Sequence, residues 1–413
     1  MDICIIGGGL TGLSAAYHLK EKANINIYEK SGKLGGCLSS SKAGNGFAED
    51  FYHHCFSGDK NLLRLFGKLD LLKDLEWLSG STGYYADGKI YPLTTPVEIL
   101  KYPYLSFMDK FRLGMLTIRS KKYDREILDN IPAKDFIEEK CGKKVYESFF
   151  EPLLNSKFGD MKGEVSAAWL VSRIAIRSDR TLEGEKLGYL KNGYISLINS
   201  LEDELLKSDC SILTGEPARS IIRKDEKWEV NGKLYDIVIS TTSPERLKKI
   251  STHEISGIEY QGAACMMIGL SKEVTNGIYW LNMKDNAPYG AVIGHTNFVP
   301  KERYGEHIVY LASYFKDKPP ENLDKKMLDD FCKRFGVCDS DINWHRMKIE
   351  KGAGPVYTTG YNKQIPEYET DTKFFVAGMF SRPNYPERSM EGSIIAGKEV
   401  AEIIETKYLR QEI

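Results

Sequence analysis

At 413 residues the chain exceeds what one hydrophobic core usually organises, so two domains of about 100–200 residues each are expected. Hydrophobic residues at 42% and charged residues at 28% describe a globular protein, and the formal net charge of −1 gives no general attraction to nucleic acid or to an anionic surface. The eight cysteines form no CxxC pair and no zinc-like spacing, and no stretch approaches the roughly 18 apolar residues of a membrane span, so reduced thiols, no metal site and a cytoplasmic location are expected.

The first element is an apolar run, Ile3 to Ile6, suited to a buried parallel strand, after which Leu10, Leu13, Ala16 and Tyr17 recur at helical spacing. Between them, Gly7 permits a tight turn, Gly9 lets a pyrophosphate approach the backbone, and Gly12 lets the helix pack on the strand. The helix start at Leu10 and Thr11 then faces the phosphates. Residues 25–28 supply a second strand, and Glu29, followed by Lys30, lies roughly 20 residues on, where an acid should bond ribose hydroxyls. The pair Gly35 and Gly36 offers a second close approach of backbone to phosphate or flavin. Together these features indicate a bound dinucleotide, with FAD favoured.

Residues 47–57 (FAEDFYHHCFS) lead into a helix expected to be capped by Asp59, with Leu62, Leu63, Phe66 and Leu69 inward. From Tyr84 to about Arg180 the pattern is mostly helical, punctuated by Pro92, Pro96, Pro103, Pro132 and Pro152, and reads as an inserted block. Its segment 102–116 (YPYLSFMDKFRLGML) could lie on a membrane, but the polar face is weakly basic. Helix packing is expected there and membrane association is not. A loop and an amphipathic helix follow at 188–207, then short strands at 211–213, 218–223, 227–230 and 236–240. Residues 259–316 hold aromatic and β-branched strand candidates for a second, largely antiparallel sheet, and 325–335 reads as a helix.

The C-terminal segment reads as a strand ending at Gly378 and Met379, an irregular loop, and a helix opening at Gly392, Ser393 and Ile394. Such a helix start aims unpaired N–H groups and a positive dipole end at one spot, which suits the negative charge of a reduced flavin. This sharpens the dinucleotide to FAD. No cysteine or histidine is placed for a flavin linkage, so noncovalent attachment is expected.

On these residues, together with FFEPLLNSKFGD at 149–160, GYLKNGYISLINSL at 188–201 and YDIVIST at 235–241, the chain resembles the FAD-dependent flavin amine oxidases. That superfamily includes protoporphyrinogen oxidase-like enzymes and, as a relative, UDP-galactopyranose mutase. The resemblance implies an α/β fold with a Rossmann-like FAD-binding domain of the GR2 type, built discontinuously from 1–80, 186–250 and 360–413. It also implies an inserted α+β substrate domain from 81–185 and 251–359. By the same resemblance Ala218 would meet the adenine through its backbone, and Ser393 and Ile394 would approach the flavin pyrimidine edge. Cys37 departs from the family, where an arginine often follows the glycine pair; it reads as a small residue beside the cofactor rather than a reactive thiol.

For chemistry beyond the cofactor, the pair His53–His54 is the best pointer. His54 is the closer counterpart of a histidine beside the flavin in the mutases, and an imidazole there could hold or shuttle a proton. Two mechanisms are open: hydride transfer from substrate to flavin N5, or attack of reduced flavin on a nucleotide sugar without net redox change. A third reading is a flavin-binding protein without catalysis of its own. Arg173 and Arg177, four apart on a helix, and Arg382, Tyr385 and Arg388 in the loop before the last helix are candidate clamps for substrate anions. The mutase pattern has an arginine after the strand glycine and an aspartate near the helix start, where this chain has Met379 and Ser389, so oxidation of a small-molecule substrate is the preferred reading. Tyr91, Trp280, Tyr289 and Tyr314 are candidates for aromatic walls. Nothing in the sequence indicates an oligomeric state.

Overall fold

The N-terminal apolar run folds as β1 (Asp2–Ile6), followed by α1 (Leu10–Leu19) and β2 (Asn24–Glu29), with β2 parallel to β1 and Ile6 opposite Tyr28. In this computed structural model, which describes residues 1–176, 185–208, 210–253, 255 and 257–410, β1 and β2 are the centre of a six-stranded sheet. The sheet runs in the order Glu369–Asp371, Phe374–Val376, Ile237–Ser240, β1, β2, Ser211–Thr214. All pairings are parallel except the outermost, between Glu369–Asp371 and Phe374–Val376. Helix α1 packs on one face of this sheet, and a small antiparallel sheet of Ile221–Lys224, Lys227–Val230 and Lys233–Tyr235 packs on the other, which is why its central strands are continuous apolar runs such as Ile237–Ser240, buried throughout. Three distant parts of the sequence thus meet in one layer.

The second sheet has seven strands, ordered Ile342–Pro355, Tyr260–Leu270, His307–Phe315, Ala291–Gly294, Trp280–Met283, Thr82–Ala86, Lys89–Pro92. It is antiparallel apart from the parallel pair Trp280–Met283 with Thr82–Ala86. That pair stitches the segment before the helical block to the segment after it. The block itself includes the helices Pro96–Lys101, Phe107–Arg119, Arg125–Asp129, Ala133–Cys141, Glu151–Phe158 and Ala167–Ile176.

Several local expectations need correction. Asp59 precedes the helix Lys60–Lys68 but does not cap it; its carboxylate accepts from the Phe56 N–H. The open N–H groups of Asn61 and Leu62 go to Glu391 in the C-terminal helix, at 2.9 and 2.7 Å, a long-range cap invisible to local sequence. The expected loop at 188 is the end of a strand, Glu185–Leu190, paired antiparallel with Leu75–Gly80. The C-terminal helix spans Met390–Ile404, opening two residues before Gly392, because Ser389 caps it by accepting from the Gly392 N–H at 2.9 Å.

Helix α1 is held between two backbones. A Cβ on Gly12 would lie 2.1 Å from the Gly7 carbonyl oxygen, and Gly7 itself sits at φ +111°. On the other side, a Cβ on Gly397 of the C-terminal helix would lie 2.3 Å from the Thr11 carbonyl oxygen and 2.8 Å from the Ala15 nitrogen. The Ser14 hydroxyl donates to the Ile394 carbonyl across this crossing at 2.8 Å. Neither backbone can yield locally, so Gly397→Ala is expected to lower stability by about 1–3 kcal/mol, the usual cost of overpacking. Urea unfolding of the holoprotein checks this, and an unchanged midpoint would show that the crossing can widen freely.

Candidate flavin site

A cavity of about 500 Å³ opens beside the β1–α1 turn and reaches the inner face of the second sheet. At the turn, the Gly35 N–H donates to the Gly8 carbonyl at 2.8 Å, and Gly9 and Gly35 form a parallel bridge. This joins the two glycine pairs. A Cβ on Gly9 would meet only the Gly36 Cα, at 4.0 Å, so the bare backbone faces open space where a pyrophosphate could lie. Leu10, Thr11 and Gly7 complete this wall, and Cys37 lies beside it with its thiol pushed up to about 11 by burial, so it stays protonated.

Glu29, 6% exposed, forms the floor at the end of β2. One carboxylate oxygen accepts from the Gly8 N–H at 2.7 Å, and the other accepts from the Ser31 N–H and hydroxyl at 2.8 and 3.0 Å. These use three of a carboxylate's roughly four acceptor positions, so one remains for a ribose hydroxyl. Lys30 lines the same end and reaches Glu350 at 3.2 Å. Ala218 lines it too; its carbonyl already accepts from Arg246 at 3.1 Å, which leaves its N–H for an adenine.

At the opposite end stand Gly378, Met379, Ser389, Met390 and Ser393. Because Ser389 satisfies the Gly392 N–H and Ser393 bonds back to the Ser389 carbonyl, the N–H groups that the first helical turn leaves open are those of Met390 and Glu391. Gly392 and Ile394 do not line the cavity, and neither does Gly12. Gly392 serves packing, since a Cβ there would fall 2.4 Å from Asn384 Oδ1. Asn384, fully buried, donates to the Gly378 carbonyl at 3.1 Å and accepts from the Ser389 N–H at 3.0 Å. It ties strand end to helix start, a role no local pattern announced.

The residues present therefore fit FAD: an open glycine backbone, a buried acid with a spare acceptor, and a helix N-terminus share one cavity.

Both histidines line the cavity. His53 Nδ1 lies 2.6 Å from the Phe51 carbonyl, so Nδ1 carries the proton and Nε2 is an acceptor; burial holds the imidazole down to about 4. His54 Nδ1 bonds the Tyr279 hydroxyl at 3.0 Å.

The remaining wall is rich in cations and rings. Lys157 Nζ lies 4.8 Å from the Trp280 ring centre and 5.2 Å from that of Tyr314, and burial pushes its ammonium down to about 8. Burial acts to raise the Tyr314 phenol, but the charges of Lys157 and Arg388 outweigh it and leave the group below its ordinary range. Tyr52 meets Tyr314 hydroxyl to hydroxyl at 3.4 Å. Arg173 pairs with Glu387 at 2.6 Å, yet Arg173 Nε and Glu387 Oε2 are buried with no hydrogen-bond partner among the described residues. Arg388 lies against Gly354, where a Cβ would fall 2.6 Å from its Cζ.

Of the predicted substrate residues, the structure brings Arg173 and Arg388 to the cavity. Arg382 is exposed and donates to Asn362 Oδ1 at 2.8 Å, while Tyr385 donates to buried Asp129 at 2.6 Å and stacks on Tyr361; both stand outside the cavity. Arg177 lies outside the described residues. Trp280 and Tyr314 are wall residues, whereas Tyr91 and Tyr289 are not. Sequence reasoning missed Lys157 and Glu387; the available signal for Lys157 was a lone cation between Leu154 and Phe158 near the end of an otherwise inward-facing helix.

Removing the Glu29 carboxylate would delete the candidate ribose acceptor and the partner of the Gly8 N–H. Glu29→Ala is expected to weaken FAD binding by about 1.5–3 kcal/mol, the range for hydrogen bonds to charged groups. Titration of apoprotein with FAD measures this; equal affinity would remove Glu29 from the site.

Residues 10–404 match the family model of flavin-containing amine oxidoreductases. Among curated proteins, the coproporphyrinogen III oxidase of Staphylococcus aureus is 23% identical over 284 residues, which cover 58% of this chain and 60% of that protein. The match thus spans less than two thirds of the relative. Among solved structures, a protoporphyrinogen oxidase-type protein from Exiguobacterium sp. 255-15 superposes with TM-score 0.78 at 17% identity, covering 98% of this chain and 99% of that one. A reduced UDP-galactopyranose mutase superposes with TM-score 0.75, also at 17% identity, covering 98% and 95%. At that identity the two structures establish the shared α/β fold alone. The family match, on a chain whose cavity has the features of an FAD site, carries the assignment: this protein belongs to the flavin-containing amine oxidoreductases, with FAD as its cofactor.

Proposed function

We propose that the chain is an FAD-dependent oxidoreductase that takes a hydride from a small substrate bearing acidic groups, with the FAD held noncovalently. The observation that carries this reading is the wall formed by Lys157, Arg173 and Arg388, with Arg173 paired to Glu387, and enclosed by Tyr52, Trp280 and Tyr314. Cations in a cavity of restricted solvent access attract carboxylates or phosphates strongly, and the rings offer area to an apolar or planar body. Bound FAD supplies the hydride acceptor. The chain's residues do the rest: Lys157 and Arg388 bind and orient the acidic groups, and Tyr52 and Trp280 exclude water. His54, oriented by Tyr279, takes up the proton released with the hydride, while His53 is too weak a base and offers Nε2 as an acceptor. A porphyrinogen, an apolar ring system with carboxylate arms, is the first candidate, since a relative is named for its oxidation.

A second reading, a mutase-like enzyme acting on a nucleotide sugar, draws on the same cations, which would also suit a diphosphate. Against it, Met379 lines the cavity and Ser389 is occupied as a helix cap, where the mutase pattern has arginine and aspartate.

The two readings separate under anaerobic conditions. Oxidised enzyme mixed with coproporphyrinogen is expected to lose its visible flavin absorbance in one turnover. Isomerisation of UDP-galactopyranose only after chemical reduction of the enzyme, with no bleaching by any porphyrinogen, would overturn oxidation in favour of the mutase.

The pH dependence follows from Lys157, whose ammonium is charged below about 8 and neutral above it. The KM for an acidic substrate is therefore expected to be flat below that pH and to rise above it. Lys157→Met should raise the low-pH KM about ten-fold or more, from the 1.5–3 kcal/mol of a charged hydrogen bond, and abolish the step. Steady-state KM against pH for both proteins checks this, and a step that persists in the variant would remove Lys157 from substrate binding.

A further inference from the structure

A second, smaller cavity of about 110 Å³ shares Cys265 with the flavin cavity as a common wall. Sheet register builds one side of it. The edge strand Ile342–Pro355 pairs antiparallel with Tyr260–Leu270, placing Lys348 opposite Cys265 and Arg346 opposite Met267. Residues two apart on a strand share a face, so these four side chains form a single patch. Two cations therefore stand beside two sulfur-bearing side chains, which are weak acceptors. The facing side comes from the N-terminal segment, as Lys33, Ser41 and Asp50.

On that facing side the charges are already matched. Lys33 Nζ donates to the Ser40 carbonyl at 2.7 Å, to the Ser41 hydroxyl at 2.9 Å and to Asp50 Oδ2 at 2.9 Å, which uses all three of its N–H groups. Asp50, buried, also accepts from the Ser39 hydroxyl at 2.9 Å and from Ser41. Burial acts to raise its carboxyl, but the bonds from Ser41 and Lys33 outweigh that, so Asp50 stays ionised and neutralises Lys33. The strand side has no such match. Lys348 Nζ lies 3.9 Å from Asp50 Oδ2, beyond hydrogen-bond reach, and makes no hydrogen bond among the described residues. Arg346 gives one donor to the Lys42 carbonyl and another to the Met267 sulfur at 3.1 Å, while its Nε is buried with no partner among the described residues. The Trp344 ring, 4.7 Å from Arg346 Cζ, offsets only part of the charge. Two positive charges are thus left without a matching anion on this patch.

We propose that this second cavity binds a compact, doubly charged oxyanion, free inorganic phosphate or sulfate, between Arg346 and Lys348. Two negative charges balance the two cations, and oxygen acceptors replace the sulfur and the missing partners. Size points the same way. A water needs about 10–15 Å³ of such space, so about 110 Å³ admits one tetrahedral anion with a few waters and is too small for a nucleotide. The ion would tie the edge of the second sheet to the N-terminal segment, where Arg346 already reaches the Lys42 carbonyl. It would also steady the flavin cavity, because Asp50 lines the second cavity and the next four residues, Phe51 to His54, line the first.

The test is equilibrium dialysis of the FAD-loaded protein against radiolabelled inorganic phosphate at constant ionic strength. Binding that sulfate displaces and chloride displaces only weakly is expected. Arg346→Met and Lys348→Met should each weaken it about ten-fold or more, the loss expected for a charge-assisted hydrogen bond. Lys348 has no hydrogen bond to lose among the described residues, so its variant is expected to keep its flavin content and its phosphate-free melting temperature. Phosphate should raise the melting temperature of the unaltered protein and of Lys157→Met, but not of the two strand variants. Absence of bound phosphate at millimolar concentration, or undiminished binding by the folded Lys348 variant, overturns the proposal. So does binding that Lys157→Met abolishes and the strand variants retain, which would assign the ion to the flavin cavity. Displacement by glycerol 3-phosphate at concentrations where free phosphate does not compete would overturn the free ion in favour of a phosphate ester.

Discussion

Helix α1 is pinched between two backbones, and the cofactor cavity depends on that pinch. On one side the helix comes so close to the β1 turn that only glycine fits at position 12. On the other it meets the C-terminal helix through Gly397, with Ser14 reaching across to the Ile394 carbonyl. The same C-terminal helix begins at the cavity and sends Glu391 to cap the helix Lys60–Lys68. The N-terminal turn and the far end of the chain are therefore positioned by one contact. Close approach without side chains leaves backbone N–H groups, rather than packed carbons, facing the cavity, which is the surface that phosphates and a reduced flavin ring require.

The opposite wall is governed by electrostatics in restricted solvent. Lys157, Arg173 and Arg388 crowd one region with Glu387 as their carboxylate among the described residues, and burial lowers the Lys157 ammonium to about 8. Holding that much positive charge away from water is costly, and the Arg173–Glu387 pair keeps a polar atom on each side without a partner among the described residues. An acidic ligand would offset this cost. The aromatic rings around Lys157 supply part of the compensation through their negative faces, and they also shape the space.

Legibility in the sequence followed the range of the interaction. The glycine turn, the acid at the end of β2 and the Gly35–Gly36 pair are encoded within about one βαβ unit, at spacings that backbone geometry dictates. The structure places their cavity-facing members together. Where the partner is distant in sequence, local reading failed in a consistent way. Asp59 has the form of a cap, but Glu391 takes the N–H groups; Gly392 has the form of a helix start, but Ser389 caps two residues earlier because Asn384 fixes the entering loop. Arg382 and Tyr385 share a loop with Arg388, yet only Arg388 faces the cavity, since the direction of each side chain is set by Asn362, Asp129 and Gly354 from other segments.

By itself the sequence determined the dinucleotide-binding unit and the alternation of strands that builds a parallel sheet, because these rest on local periodicity and on positions where only glycine is sterically allowed; the choice of FAD drew on the C-terminal segment and on the resemblance along the chain. Tertiary structure alone decided which cations and rings share a wall, that Lys157 is held down to about 8, and that the stripe of Phe107, Phe111 and Ile118 remains uncovered. The physical reason is that burial and mutual distance belong to the assembled chain. The same apolar spacing on a helix describes a core face or an exposed one, and only the neighbours that the fold brings up, or withholds, make the difference.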